Sequence, residues 1–400
     1  MKKIYGLKGC IQHYAWGGQK YIPELLGIEP DQKPYAEYWL GAHINAPALV
    51  ENEGGYLPLD AFLETNLHAF LGEQTFKAFG RLPFLFKVLD VHDMLSIQVH
   101  PSKKEAEKGF RLENKQGIPL TAANRNYKDD NHKPEIMLAL GDFWLLHGFL
   151  PKAELIERLN NKETFRQLLP IFKKGGYKAL YQHVMELPVE ESNSILKPII
   201  DRIMPLYQKG KIDKSNPDYW AAKALLLNPD KDNYDKGIYS IYFFNIVNVK
   251  KGQAVFQDAG VPHSYLEGQN IELMANSDNV LRGGLTPKYV DVPELLKHVL
   301  FEETKPEILT GELQADGIER KYVSPAPDFE LSGVNIGNED SYSCKTMSVE
   351  IYILMEGKAE VTEKNTSLTL KKGESFLALS GAEFQISTSS KAFLYKATTP

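Results

Sequence analysis

Val249-Lys250-Lys251-Gly252-Gln253-Ala254-Val255-Phe256 aligns without gaps on Leu370-Lys371-Lys372-Gly373-Glu374-Ser375-Phe376-Leu377. Beyond each of these glycines stands a second one at equal distance, Gly260 and Gly381. An apolar residue, two lysines, a glycine and a renewed apolar run read as strand, tight turn and strand. Two copies of one such unit imply two related β modules in a single chain.

Glycine, five residues, proline, any residue, glycine, two residues and histidine is a pattern that resembles the cupins. These are small antiparallel jelly-roll barrels that often hold a metal in the barrel mouth. The first copy supplies Gly252, Asp258 in the proline slot, Gly260, and His263 in the ligand slot. The second supplies Gly373, Leu379, Gly381 and Phe384. Phenylalanine cannot coordinate a metal, so a site is expected in the first module only.

Working outward, the chain up to about residue 150 is strand-like, in short runs broken by Gly, Pro and Asn. Phe84-Leu85-Phe86-Lys87-Val88-Leu89 reads as a buried strand and Val91-His92-Asp93 as the turn after it. Residues 95–100 alternate: Leu95, Ile97 and Val99 face one way, Ser96, Gln98 and His100 the other. A second face that is polar but uncharged suits a cavity wall. Between about residues 151 and 235 the spacing is helical, with Gly175-Gly176 and several prolines as breakers. Strands are expected again from about Tyr239, interrupted by an amphipathic helix near Pro293 to Leu300. The expected fold is mainly β with a helical insertion: two cupin-type jelly-roll β-barrels plus an α-helical domain. Residues 1–150 and 236–309 would form a catalytic cupin domain, 151–235 the insertion and 310–400 a degenerate cupin domain.

A metal on His263 needs further ligands. Gln98 and His100, at i and i+2, project from one strand face, and Glu135 opens a later strand on the same side as Lys133. Two imidazoles, a carboxylate and an amide oxygen suit a borderline divalent cation such as Zn²⁺, one per chain. A position left for water or substrate would make the site catalytic, and a single anionic ligand preserves Lewis acidity toward a sugar oxygen. His13, His43, His68, His92, His147, His183 and His298 read as structural or exposed.

Composition narrows the function. The chain has 400 residues, 43% hydrophobic and 24% charged, as in a soluble globular protein of about two or three domains. A net charge of −6 provides no basic excess for nucleic acid or an anionic membrane. Two cysteines, Cys10 and Cys344, form neither a disulfide framework nor a zinc-thiolate motif. The best apolar run, 238–249, falls short of the roughly 20 residues of a membrane span. A cytoplasmic enzyme with a small-molecule substrate is expected, with a monomer plausible.

At the level of whole motifs the chain resembles the type I mannose-6-phosphate isomerases. Gln98-Val99-His100-Pro101, Ala106-Glu107-Lys108-Gly109 and Asn131-His132-Lys133-Pro134-Glu135 carry the resemblance, with the long signature Ser277-Asp278-Asn279-Val280-Leu281-Arg282-Gly283-Gly284-Leu285-Thr286-Pro287-Lys288. Trp16-Gly17 and Ala36-Glu37-Tyr38-Trp39-Leu40-Gly41-Ala42-His43 also fit, and Ile44-Asn45 departs where a proline usually follows. The resemblance implies zinc ligands at Gln98, His100, Glu135 and His263 and a catalytic arginine at Arg282. It implies pocket groups at Lys87, Ser96, His132, Lys133, Glu272, Asp278 and Lys288.

The implied reaction interconverts mannose 6-phosphate and fructose 6-phosphate through a cis-enediol. Metal and Arg282 would stabilise charge at the O1/O2 pair. Lys87, Lys288 and Ser96 are candidates for the phosphate. Glu272, a carboxylate on an apolar strand, and Lys133, beside a metal ligand, are alternative bases for the C1/C2 proton. His132 and Asp278 are candidates for ring opening. Two other classes match parts of the pattern. A non-haem metal oxygenase is disfavoured by Gln98 as a fourth ligand, and a non-catalytic sugar-phosphate binder by the presence of Arg282 and both bases.

Overall fold

Phe84–Val91 is buried at every position because it lies between Glu37–Gly41 and His263–Ala275 in the middle of a ten-stranded sheet. The structure, a computed structural model, describes residues 2–228, 230, 232–338, 340–364 and 366–400. It is mostly β-sheet with some helices.

Alternation along this strand separates two environments. Phe84, Phe86 and Val88 pack with Ile136, Leu138, Ile271 and Leu273 against Leu331, Ile351, Ile353 and Leu377 of a second, twelve-stranded sheet. Phe84 and Phe86 are fully buried, each worth about 1.5–3 kcal/mol of transfer free energy. The opposite face of the same strands carries Lys87 and Glu272, in direct register with each other, among Leu89, Met137 and Met274. One face holds the two sheets together; the other can afford charges.

The twelve-stranded sheet is built mainly from residues beyond 310, and the N-terminal strand Ile4–Lys8 joins it by pairing with Ser375–Ala378. The two turns of the repeat have the same construction. Gly252 and Gly373 take φ of 81° and 85°, and Gly260 and Gly381 take 82° and 71°, a region that favours glycine. Lys250 N–H donates to Gln253 Oε1 at 2.8 Å, and Lys371 N–H to Glu374 Oε2 at 2.7 Å.

Residues 151–235 are helical as expected, around a core that includes Leu155, Phe165, Leu180, Ile199 and Trp220. Gly176 (φ 65°, ψ −159°) kinks Leu169–Glu186. Ile195 to Leu206, whose spacing is helical, lies in the helix Val189–Gln208 with Pro198 and Pro205 inside it, and Ile195, Leu196, Ile199, Ile200 and Ile203 are buried. Tertiary burial overrides the proline penalty there. The strand expected from Tyr239 is a helix, Gly237–Phe243, followed by the strand Phe244–Val249. All seven helical residues are buried, and a uniformly apolar run has no period to tell helix from strand. The alternating segment 95–100 is extended, but only Gln98–Val99 enters a ladder. Val292–His298 is the amphipathic helix expected near Pro293. No helix among the described residues is long and apolar enough to cross a membrane.

Candidate active site

His100, Glu135 and His263 meet inside the ten-stranded sheet, all three buried, with ligand atoms within 4.8 Å of one another. His100 Nε2 lies 3.4 Å from Glu135 Oε1 and His263 Nε2 lies 3.4 Å from Glu135 Oε2. Each ring is fixed from behind: His100 Nδ1 sits 2.8 Å from Asn279 O and His263 Nδ1 2.9 Å from Val261 O. A carbonyl can only accept, so the proton belongs on Nδ1 and the Nε2 lone pairs point at Glu135. Both Nε2 atoms are buried without a hydrogen-bond partner. Burial, reinforced by the Lys133 cation, lowers His100 to about 4, keeping it neutral. Two buried imidazoles whose Nε2 atoms converge on one carboxylate fit a divalent metal of the zinc type.

Strand register places Gln98 beside this group. Gln98 is the cross-strand neighbour of His263 on one side and of Arg282 on the other. His147 extends the row beyond His263. Side chains in such a row share a face. Ligand candidates and arginine thus line one wall.

The charged wall comes from the Phe84–Val91 and His263–Ala275 strands. Lys87 Nζ lies 2.9 Å from Glu272 Oε2 and 3.3 Å from Glu37 Oε2. Glu37 also accepts from Trp39 Nε1–H at 2.5 Å. Burial alone would depress Lys87, but the two carboxylates override it and hold the ammonium above its ordinary range. Burial raises the Glu272 carboxyl, against the pull of Lys87 and with the help of Glu135 and Glu37. Lys133 Nζ is 2.7 Å from Glu135 Oε1. Tyr265, two residues along the strand from His263, is pushed up by burial and then by Glu272, and stays a neutral hydroxyl.

At the rim, His43 Nε2 is 3.2 Å from Asp278 Oδ1. Partial burial raises Asp278, but that hydrogen bond, with Lys133 and Lys87 beyond, holds it below its ordinary value. Asp278 therefore pairs with His43, not with Arg282. The side chains of Arg282, Lys288 and Ser96 make no hydrogen bond or ion pair among the described residues. Burial lowers Lys288, and the nearby Arg282 cation adds to this, so the two cations share one neighbourhood. His132 Nε2 lies 2.7 Å from Asp328 Oδ2. Two motifs distant in sequence are tied together behind the site: Asn279 Nδ2 donates to Asp129 O and Asn131 O, both at 2.8 Å, and Ser277 Oγ donates to Asp129 Oδ1 at 2.8 Å.

This wall of ligands and cations is built by a chain with extensive relatives. Residues 4–152 match the description "Phosphomannose isomerase type I, catalytic domain". The mannose-6-phosphate isomerase of Escherichia coli (strain K12) is 36% identical over 378 residues, 92% of this chain and 93% of that protein. The chain belongs to the type I phosphomannose isomerases. The Homo sapiens mannose-6-phosphate isomerase is 31% identical over 408 residues, 93% of this chain and 92% of that protein. A crystal structure of the Salmonella typhimurium mannose 6-phosphate isomerase, bound to fructose 6-phosphate and zinc, is 32% identical. It covers 100% of both chains with a TM-score of 0.88.

For a type I phosphomannose isomerase, the residues that sequence reasoning missed are the supporting ones. Glu37, His43, Asn279 and Asp328 each hold a candidate site residue. Glu37, His43 and Asn279 sit within the quoted signatures, so position alone could have flagged them. Asp328 had no local signal. Phe384 was identified from spacing, but its neighbours needed register. Glu135 pairs with Gln257, and its equivalent Glu350 pairs with Ala378. His263 pairs with Gln98, and Phe384 with Cys344. Gly260 N–H donates to His100 O and Gly381 N–H to Thr346 O, each at 2.9 Å. The positions of Gln98, His100, Glu135 and His263 thus correspond to Cys344, Thr346, Glu350 and Phe384.

Proposed function

We propose that this chain interconverts mannose 6-phosphate and fructose 6-phosphate through a cis-enediol, with one Zn²⁺ held by Gln98, His100, Glu135 and His263. The observation that carries the proposal is the pair of buried Nε2 atoms converging on Glu135, with His263 in one row with Arg282, whose guanidinium has no partner among the described residues. A bound divalent ion supplies Lewis acidity toward the O1/O2 oxygens. Arg282 adds a fixed charge where the enediolate develops. Glu272, its carboxyl tuned by burial and steadied by Lys87, takes the C2 proton of the open aldose and returns it to C1 while the O2 hydroxyl proton passes to O1. Lys133, ion-paired to Glu135 at 2.7 Å, orients that ligand. His132 and Asp278 serve ring opening, and Lys288 and Ser96 meet the phosphate.

The two copies of the repeat are assigned as cupin jelly-roll barrels. Residues 1–150 and 236–309 form the catalytic domain, 151–235 the helical insertion and 310–400 a degenerate domain that binds no metal. Equal turn geometry in the two copies supports this, and Ile4–Lys8 crosses over as a strand of the second barrel's sheet. Purified protein incubated with mannose 6-phosphate should yield fructose 6-phosphate, and a chelator should stop it. No turnover by metal-loaded protein would overturn the proposal.

A further inference from the structure

We infer that Asp328, from the part of the chain beyond residue 310, is a positioning residue that fixes His132 as its Nε2–H tautomer and so presents Nδ1 to the sugar. This rests on the reading of His132 as a ring-opening group.

Asp328 lies in the loop between the strands Glu319–Tyr322 and Glu330–Ile336 and is 2% exposed. Among the described residues its carboxylate has one partner, His132 Nε2 at 2.7 Å. A buried carboxylate is costly, and this one is retained with a single hydrogen bond to a residue in a catalytic signature. The loop is rigidly placed: Ala326 and Phe329, on either side of Asp328, are buried in the core that also holds Phe84, Phe86, Ile136 and Ile271. Those residues belong to the strands that carry Lys87, Glu135 and Glu272. Asp328 is thus tied to the site's own framework.

The 2.7 Å contact needs one proton between the two atoms, and the inference places it on His132 Nε2, with the Asp328 carboxylate accepting. In that tautomer Nδ1 holds a lone pair; it has no protein partner among the described residues, and the ring is 23% exposed. In ring opening the C1–O5 bond breaks, the O1–H proton passes to Nδ1, and the same proton is returned to O5. The histidine is unchanged at the end. The opposite tautomer would offer a donor where an acceptor is needed.

Long-range ¹H–¹⁵N spectra of the metal-loaded enzyme, with His132 assigned through its absence in His132→Gln, read the tautomer directly. An Nε2–H ring supports the inference; an Nδ1–H or averaged ring overturns it. In kinetics, Asp328→Asn should lower kcat by about 10–100-fold with little change in KM. In a His132→Gln background it should add nothing. Should His132→Gln keep full kcat, the ring-opening reading falls. If His132→Gln is impaired but Asp328→Asn is not, or if the two losses multiply, that reading stands and the role of Asp328 falls. Metal content and Tm of each variant separate these outcomes from misfolding, and the wild-type spectrum decides even if Asp328→Asn does not fold.

Discussion

Glu350 occupies in the second copy of the repeat the place that Glu135 occupies in the first, each opening a strand opposite the last residue of the strand that follows the lysine-rich turn. Of the four corresponding positions only this carboxylate persists. Around Glu135 are two imidazoles. Around Glu350 are the Tyr352 hydroxyl, which donates at 2.5 Å, and the Cys344 thiol at 3.6 Å. Phe384, in the place of His263, packs edge-on against Tyr352 and Phe376. Where the first copy converges lone pairs, the second converges aromatic carbon.

Glu350 carries a pH signature. Burial raises its carboxyl, with Lys396 pulling the other way. A folded pKa above the unfolded value, about 4.3, gives stability that is present below that value and lost as pH rises through the folded one. Glu350→Gln removes this loss. The Tm of the variant relative to wild type should therefore rise between about pH 5 and pH 8, by about 1–3 °C. Thermal melts at the two pH values check it, and a flat or falling difference contradicts it.

Metal stoichiometry separates the two copies. Elemental analysis should find one zinc per chain, lost in His263→Ala and after chelation. His263→Ala leaves one imidazole lone pair beside the carboxylate where there were two, so affinity should drop by more than the 10–100-fold typical of outer-shell changes. Full occupancy in His263→Ala, or a second stoichiometric zinc near Glu350, would contradict the assignment.

Among the described residues Arg282 has no side-chain partner to lose, so replacing it should not unfold the chain. Arg282→Lys is expected to stay within about 0.5 kcal/mol in stability while kcat falls on the order of 10²–10³. Lysine keeps the charge but not the planar fork that spans two oxygens. A raised KM at unchanged kcat would instead assign Arg282 to phosphate binding.

Glu272→Gln should lower kcat by about 10²–10⁴ with the metal retained. The pH profile offers a second check. A base works deprotonated, so activity falls as pH drops through its pKa, and burial places that limb above the ordinary carboxyl value of about 4.3. An acid limb of kcat/KM at or below that value would exclude Glu272 as the base.

The candidate metal ligands were legible because each sits in a patterned slot: His263 in the repeat, Gln98 and His100 at strand spacing, Glu135 at the head of an apolar run. Lys87 and Glu272 were legible as charges inside buried strands. Their pairing was not, since it depends on the register of two strands far apart in the chain. Helix or strand for 237–243 was undecidable locally, because burial on every side erases the period.

Sequence by itself determined the repeat, its turns and the loss of a ligand at Phe384, all of which are local facts of spacing and residue chemistry. Tertiary structure alone decided that Ile4–Lys8 completes the sheet of the other end of the chain, that Glu350 is the counterpart of Glu135, and that Asp328 holds His132. These depend on strand register and on which faces two sheets bury against each other. Both are set by the whole apolar core, whose contacts join residues hundreds of positions apart and leave no trace in any short stretch of sequence.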